Sequence, residues 1–118
     1  MGTGAGSGAS DPMGGALISV ADAVDMVARF RGANLGKAVV RYWSFGRTSI
    51  DAVLAQKGCA GLRIYRGVDD SGTEHVLLVG TDAKGADLLP TTRDQAGTVA
   101  DRGWPCPPIC AATSLLNP

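Results

Sequence analysis

The sequence predicts an α+β fold: a small, mostly antiparallel sheet of 3-4 strands with two helices packed on it. Three observations carry that expectation. Apolar residues recur at helical spacing after Ser19 and again after Ser49. Two strand-like stretches, 61–66 and 75–81, flank the turn residues Asp69-Asp70-Ser71-Gly72. Finally, 118 residues amount to one domain, large enough for one core and too small for a second.

Residues 1–17 are rich in Gly, Ser, Ala and Thr and have little to bury, so a flexible Gly-rich leader is expected. Gly2, Gly4, Gly6 and Gly8 superficially match a phosphate-binding loop. Such a loop must follow a strand and open a helix, and no strand precedes these glycines. A single α+β domain is expected over 18–110, with 111–118 as a short tail.

The first helix starts at Ser19, whose hydroxyl can cap it, with Asp22 placing an acid near the positive end of the helix dipole. Val20, Ala23, Val24, Val27 and Phe30 make its apolar stripe, and Gly32, Asn34 and Gly36 end it. Residues 38–45, β-branched and aromatic, predict a short strand. Thr48 or Ser49 caps a second helix, with Ile50, Val53 and Leu54 inward and Gly58 as a left-handed stop. In the strand from Gly61, Leu62 and Ile64 share one face while Arg63 and Tyr65 share the other. The strand from His75 runs Val76-Leu77-Leu78-Val79, apolar on both faces, so it belongs inside the sheet. Asp82-Ala83-Lys84-Gly85 repeats the turn signal, residues 87–89 suggest a further strand, and 90–103 fade into a polar connection.

Charge excludes some functions. Eleven basic side chains balance eleven acidic ones, which argues against a nucleic-acid binder. The distribution is uneven: between Arg29 and Arg66, eight basic residues face the single Asp51, a local balance of +7. Neutralisation by the acidic remainder on folding is one account, and a basic face for an acidic partner is the other. No basic segment precedes an apolar run, as a secretory signal would require. No stretch approaches the ~20 apolar residues of a membrane span. A cytoplasmic protein without a membrane partner is expected, and three cysteines, an odd number, fit reduced thiols there.

No nucleophile elbow, metalloprotease, nucleotide-binding or kinase signature is present. His75 is the only histidine, and the acids at Asp69, Asp70, Asp82 and Asp87 belong to turns.

The tail Trp104-Pro105-Cys106-Pro107-Pro108-Ile109-Cys110 is the most distinctive segment. In polyproline geometry, cysteines four apart stand ~12 Å from each other, whereas a disulfide needs Cα atoms within ~7 Å. Four readings stay open. The tail is a rigid strap with Trp104 and Ile109 packed on the domain and the cysteines as small buried hydrophobes. Cys106 and Cys110 form a labile disulfide after a sharp turn. They bind zinc with Cys59 and His75, a set that matches a site of three Cys and one His by count. Or the strap docks on another protein. A second candidate surface is the sheet face of Arg63 and Tyr65, joined by Arg41 and Trp43 if those strands pair. There an arginine beside aromatic rings suits a carboxylate, a phosphate or a flat ring. An ordinary polar face, or an ion pair with Asp69, uses the same side chains.

In Gly58-Cys59-Ala60-Gly61-Leu62-Arg63-Ile64-Tyr65, Val76-Leu77-Leu78-Val79-Gly80 and Cys106-Pro107-Pro108-Ile109-Cys110, the chain resembles small bacterial proteins of Bacteroidetes and proteobacteria. The resemblance runs from about Ser19 to Cys110 and implies a compact domain ending in a Cys-Pro-Pro-x-Cys strap. It implies no activity, catalytic residue or cofactor. The function expected is therefore a non-enzymatic interaction or accessory module of the bacterial cytoplasm, contacting another protein through Arg63, Tyr65, Arg41, Trp43 and Trp104. The alternative is a thiol-based redox or metal-binding protein centred on Cys106 and Cys110.

Overall fold

The computed structural model describes residues 10–118, so the first nine residues of the expected leader lie outside the described residues. The elements run α1 (Val20–Ala33), β1 (Tyr42–Ser44), α2 (Arg47–Leu54), β2 (Gly61–Val68), β3 (Glu74–Thr81), β4 (Val99–Ala100) and β5 (Trp104–Cys106). Two helices and two small sheets give the α+β class that the sequence predicted. The chain forms two compact units. One runs up to Arg41 and resumes at Cys106–Pro118; the other is Tyr42–Pro105.

In the first unit, part of the expected leader is an ordered turn. Ser10 and Ala16 form an antiparallel bridge. Between them the Asp11 carboxylate accepts from Met13 N–H at 2.7 Å and its carbonyl accepts from Gly14 N–H at 2.9 Å. A single aspartate thus closes the turn by the mechanism that makes Asp a turn residue. Helix α1 is capped as its sequence dictates: the Ser19 hydroxyl accepts from Asp22 N–H at 3.1 Å. At the other end the Asn34 side chain donates to Phe30 O at 2.8 Å. Its stripe is shallower than expected. Ala23, Val24 and Val27 are half-buried, while Val20 and Phe30 are exposed.

In the second unit β3 is the central strand of the order β2-β3-β4, antiparallel to both neighbours. The apolar run Val76–Val79 required that position, since only a central strand covered on both faces hides consecutive apolar side chains. The register sets Ile64 opposite Leu78 and Val79 opposite Val99. Helix α2 lies across this sheet, and Val53, Leu78 and Val79 form the buried centre. Burying a side chain such as Val53 contributes about 1.5–3 kcal/mol. The close approach of α2 needs Gly80: a Cβ there would stand 2.9 Å from Gln56 Nε2, 3.0 Å from Cys59 Sγ and 3.3 Å from Val53 O.

Three expected elements are redrawn. Helix α2 begins at Arg47 after an extended Gly46 that offers no side-chain cap, so Thr48 and Ser49 lie inside the first turn; Arg47 instead pairs with Asp51 one turn on. The strand expected over 38–45 is only Tyr42–Ser44 and joins β5 rather than the three-stranded sheet. Turn bonds from Lys37 N–H to Asn34 O and from Val39 N–H to Lys37 O use up the backbone before it. The strand suggested at 87–89 reduces to a bridge between Thr81 and Asp87. Among the described residues no helix is long and apolar enough to cross a membrane.

Candidate functional site

Cys106 and Cys110 are joined by a disulfide with their Cα atoms 4.8 Å apart, in a segment whose Cys106–Pro107 and Pro107–Pro108 peptide bonds are cis. The extended strap with free cysteines is therefore not the form observed, because the chain turns back within five residues. Trp104 is 62 % exposed and Ile109 46 % exposed, so neither packs as the strap expectation required. The two sulfurs differ in access: Cys106 is fully buried, and Cys110 lies at the surface.

Arg41 brackets this disulfide. Its backbone N–H donates to Cys106 O at 2.7 Å. Its guanidinium Nη2 reaches Cys106 Sγ at 3.2 Å and Cys110 Sγ at 3.8 Å. The backbone bond fixes where the side chain starts, and the planar guanidinium presents several donors from one plane. A fixed cation beside a cysteine favours the thiolate, the form that attacks disulfides and the form in which a sulfur leaves. Arg41 was expected to join the Arg63 sheet face if their strands paired, and β1 pairs with β5 instead. Arg41 precedes β1 and serves the sulfurs, a role that 65 residues of separation hid from the sequence.

Arg63 and Tyr65 do share a face of β2, but their partner comes from within the chain. Arg63 Nη1 donates to Asp87 Oδ1 at 2.6 Å and Nη2 to Gly85 O at 2.9 Å, while the Tyr65 hydroxyl donates to Asp87 Oδ2. The Asp87 carboxyl is held below its usual range by Tyr65 and then Arg63, and the Tyr65 hydroxyl is pushed up by the same carboxylate. Asp87, not Asp69, neutralises Arg63, because the Thr81–Asp87 bridge continues outward from the Gly61–Thr81 pair. Trp43 lies in β1, paired with β5, and so is not part of this face.

Asp69 is used elsewhere. Its Oδ1 accepts from the Ser71 N–H, the Ser71 hydroxyl and the Thr73 N–H, closing the β2–β3 turn. Its Oδ2 lies 2.8 Å from His75 Nε2, and His75 Nδ1 lies 2.8 Å from Asp101 Oδ1. Asp101 and then Asp69 hold the His75 imidazole above its ordinary value, since two carboxylates favour the doubly protonated ring. Both carboxyl groups are held correspondingly low, Asp69 mainly by the Ser71 hydroxyl and Asp101 mainly by His75. With both ring nitrogens engaged, His75 has no free lone pair to serve as a general base. The residue that sequence reasoning missed is Asp101, which lies beyond β4 in the segment taken as a polar connection.

The zinc set of Cys59, His75, Cys106 and Cys110 is not assembled. Two of its thiols are consumed by the disulfide, His75 is clamped between carboxylates, and the free Cys59 has its Sγ 3.3 Å from Gly61 O. Among the described residues no three His, Cys, Asp or Glu side chains converge to hold a metal. A groove of ≈ 470 Å³ in the second unit is lined by Gln56, Lys57, Asp87, Leu88, Pro90 and Thr98 among others, and its carboxylate, Asp87, is already engaged by Arg63 and Tyr65. No protein-family model, curated protein or solved structure matches this chain.

Proposed function

We propose that the chain is a thiol–disulfide protein whose Cys106–Cys110 pair cycles between a disulfide and a dithiol. The observation that supports this reading is the Arg41 guanidinium held against both sulfurs, 3.2 Å from Cys106 and 3.8 Å from Cys110, with Cys110 open to solvent. A purely structural disulfide needs neither a cation at its sulfurs nor an exposed sulfur. In a bacterial cytoplasm, where glutathione and thioredoxin systems keep thiols reduced, the dithiol is the resting form and oxidation marks a turnover or a signal.

Equilibration in glutathione redox buffers tests the proposal, with thiols counted after acid quenching. The expected result is a reversible change between one titratable thiol, Cys59, and three. A pair that stays fully oxidised, or that does not reform after reduction, would overturn it.

A second reading is favoured by Trp104: a protein-binding module of the cytoplasm. An indole left 62 % exposed is an amphipathic ring of the kind enriched in interface hot spots. Arg63 and Tyr65 lend it less support, because Asp87 already engages both.

A further inference from the structure

The disulfide is asymmetric, and the asymmetry assigns the two cysteines different roles. Cys110 is at the surface and Cys106 is fully buried. The guanidinium of Arg41 stands closer to the buried sulfur, at 3.2 Å against 3.8 Å. We propose that an external thiolate attacks Cys110 Sγ, that Cys106 is the leaving sulfur, and that Arg41 is the positioning residue that holds the departing thiolate. This rests on the redox reading of the same pair.

The step balances without a further reactant. The incoming thiolate forms a bond to Cys110 Sγ as the Cys106–Cys110 bond breaks, and its electron pair passes to Cys106 Sγ, which departs as a thiolate beside the guanidinium. A second external thiolate then attacks its own kind in the mixed disulfide and releases Cys110 as a thiolate. Two substrate thiols are oxidised to one disulfide, the protein pair is reduced to a dithiol, and two protons remain shared between the new thiols and solvent. Exchange is faster when the leaving thiolate is more stable, so a cation nearer Cys106 than Cys110 favours attack at Cys110 over the reverse. Cys110 and its neighbours Pro107, Pro108 and Ile109 are all exposed. The substrate class is therefore any accessible thiol of glutathione size or one displayed on a protein surface.

Glutathione is the probe. Oxidised protein is mixed with reduced glutathione, quenched with iodoacetamide at early times and digested, and the glutathione adduct is mapped by mass spectrometry. The expected early adduct is on Cys110, with Cys106 alkylated. Arg41→Met slows the reduction about tenfold at neutral pH, and Arg41→Lys, which keeps the charge, restores most of the rate and shows that the loss is not misfolding. An early adduct on Cys106, or equal rates for wild type and Arg41→Met, would overturn the role assignment while leaving the redox reading standing. Absence of any reduction would overturn both.

Discussion

Reducing the Cys106–Cys110 disulfide should destabilise the protein by an amount that follows from the sequence separation of 4 between its ends. In the chain-entropy account, a cross-link lowers the entropy of the unfolded chain by a constant plus a term in the logarithm of the loop length. For a loop of about five residues that amounts to about 2 kcal/mol at 25 °C, against about 3 kcal/mol for a fifteen-residue loop. The urea midpoint should then fall by about 1–2 M for a slope of about 1–2 kcal/mol/M. The melting temperature should fall by about 8 °C for a chain of this size. The assay is urea unfolding with and without dithiothreitol, the thiol count rising from one to three as the check that reduction is complete. The double variant Cys106→Ser, Cys110→Ser should unfold at the midpoint of the reduced protein. Coincident curves for oxidised and fully reduced wild type would refute the reasoning, because they would mean that the loop is as constrained without the bond as with it. The small cost matters for the proposed function. A pair that cycles must leave the dithiol form folded, and a short loop keeps the penalty low.

Two further predictions concern the sheet unit. Gly80→Ala places a Cβ 2.9 Å from Gln56 Nε2 and 3.3 Å from the Val53 carbonyl, so helix α2 must shift. A loss of about 1–3 kcal/mol is expected in chemical unfolding, as for other overpacked sites, and wild-type stability would show that α2 does not sit where its geometry places it. The His75 clamp makes stability depend on pH in a defined direction. Because His75 titrates above its ordinary 6.5 when folded, its contribution is fully present below pH 6.5 and is lost as pH rises through the raised value. Because Asp69 and Asp101 titrate below their ordinary 3.8, theirs is present above that value and is lost as pH falls through the lowered ones. The advantage of wild type over His75→Gln in unfolding midpoint should therefore be largest between about pH 4 and 6.5 and should shrink by pH 8–9. An advantage that grows with alkalinity would contradict the clamp.

Local chemistry made several elements legible. Ser19 had to cap a helix because its hydroxyl reaches the Asp22 N–H whenever the following residues turn helical. Asp69 and Gly72 had to make a turn, one by accepting backbone donors and the other by accepting positive φ, here +86°. Four consecutive apolar residues in Val76–Val79 placed β3 at the centre of its sheet, since no edge strand hides both faces. Each of these depends on residues within a few positions of one another.

What escaped the sequence depends on partners far along the chain. The two-residue strand β4 carries no periodicity, so its pairing with β3, and the delivery of Asp101 to His75, had no local signal. Asp87 belongs to a turn by its neighbours, yet its function in the fold is to hold Arg63 and Tyr65, 24 and 22 residues away. The tail shows the division most sharply. Its residues determine that two cysteines lie four apart among prolines, and no more, because the same prolines suit an extended strap and a closed loop alike. Only the tertiary structure decided for the loop, buried one cysteine, exposed the other and brought in Arg41 from 65 residues away. A charge acts through space over a few ångströms, and sequence order does not encode that distance.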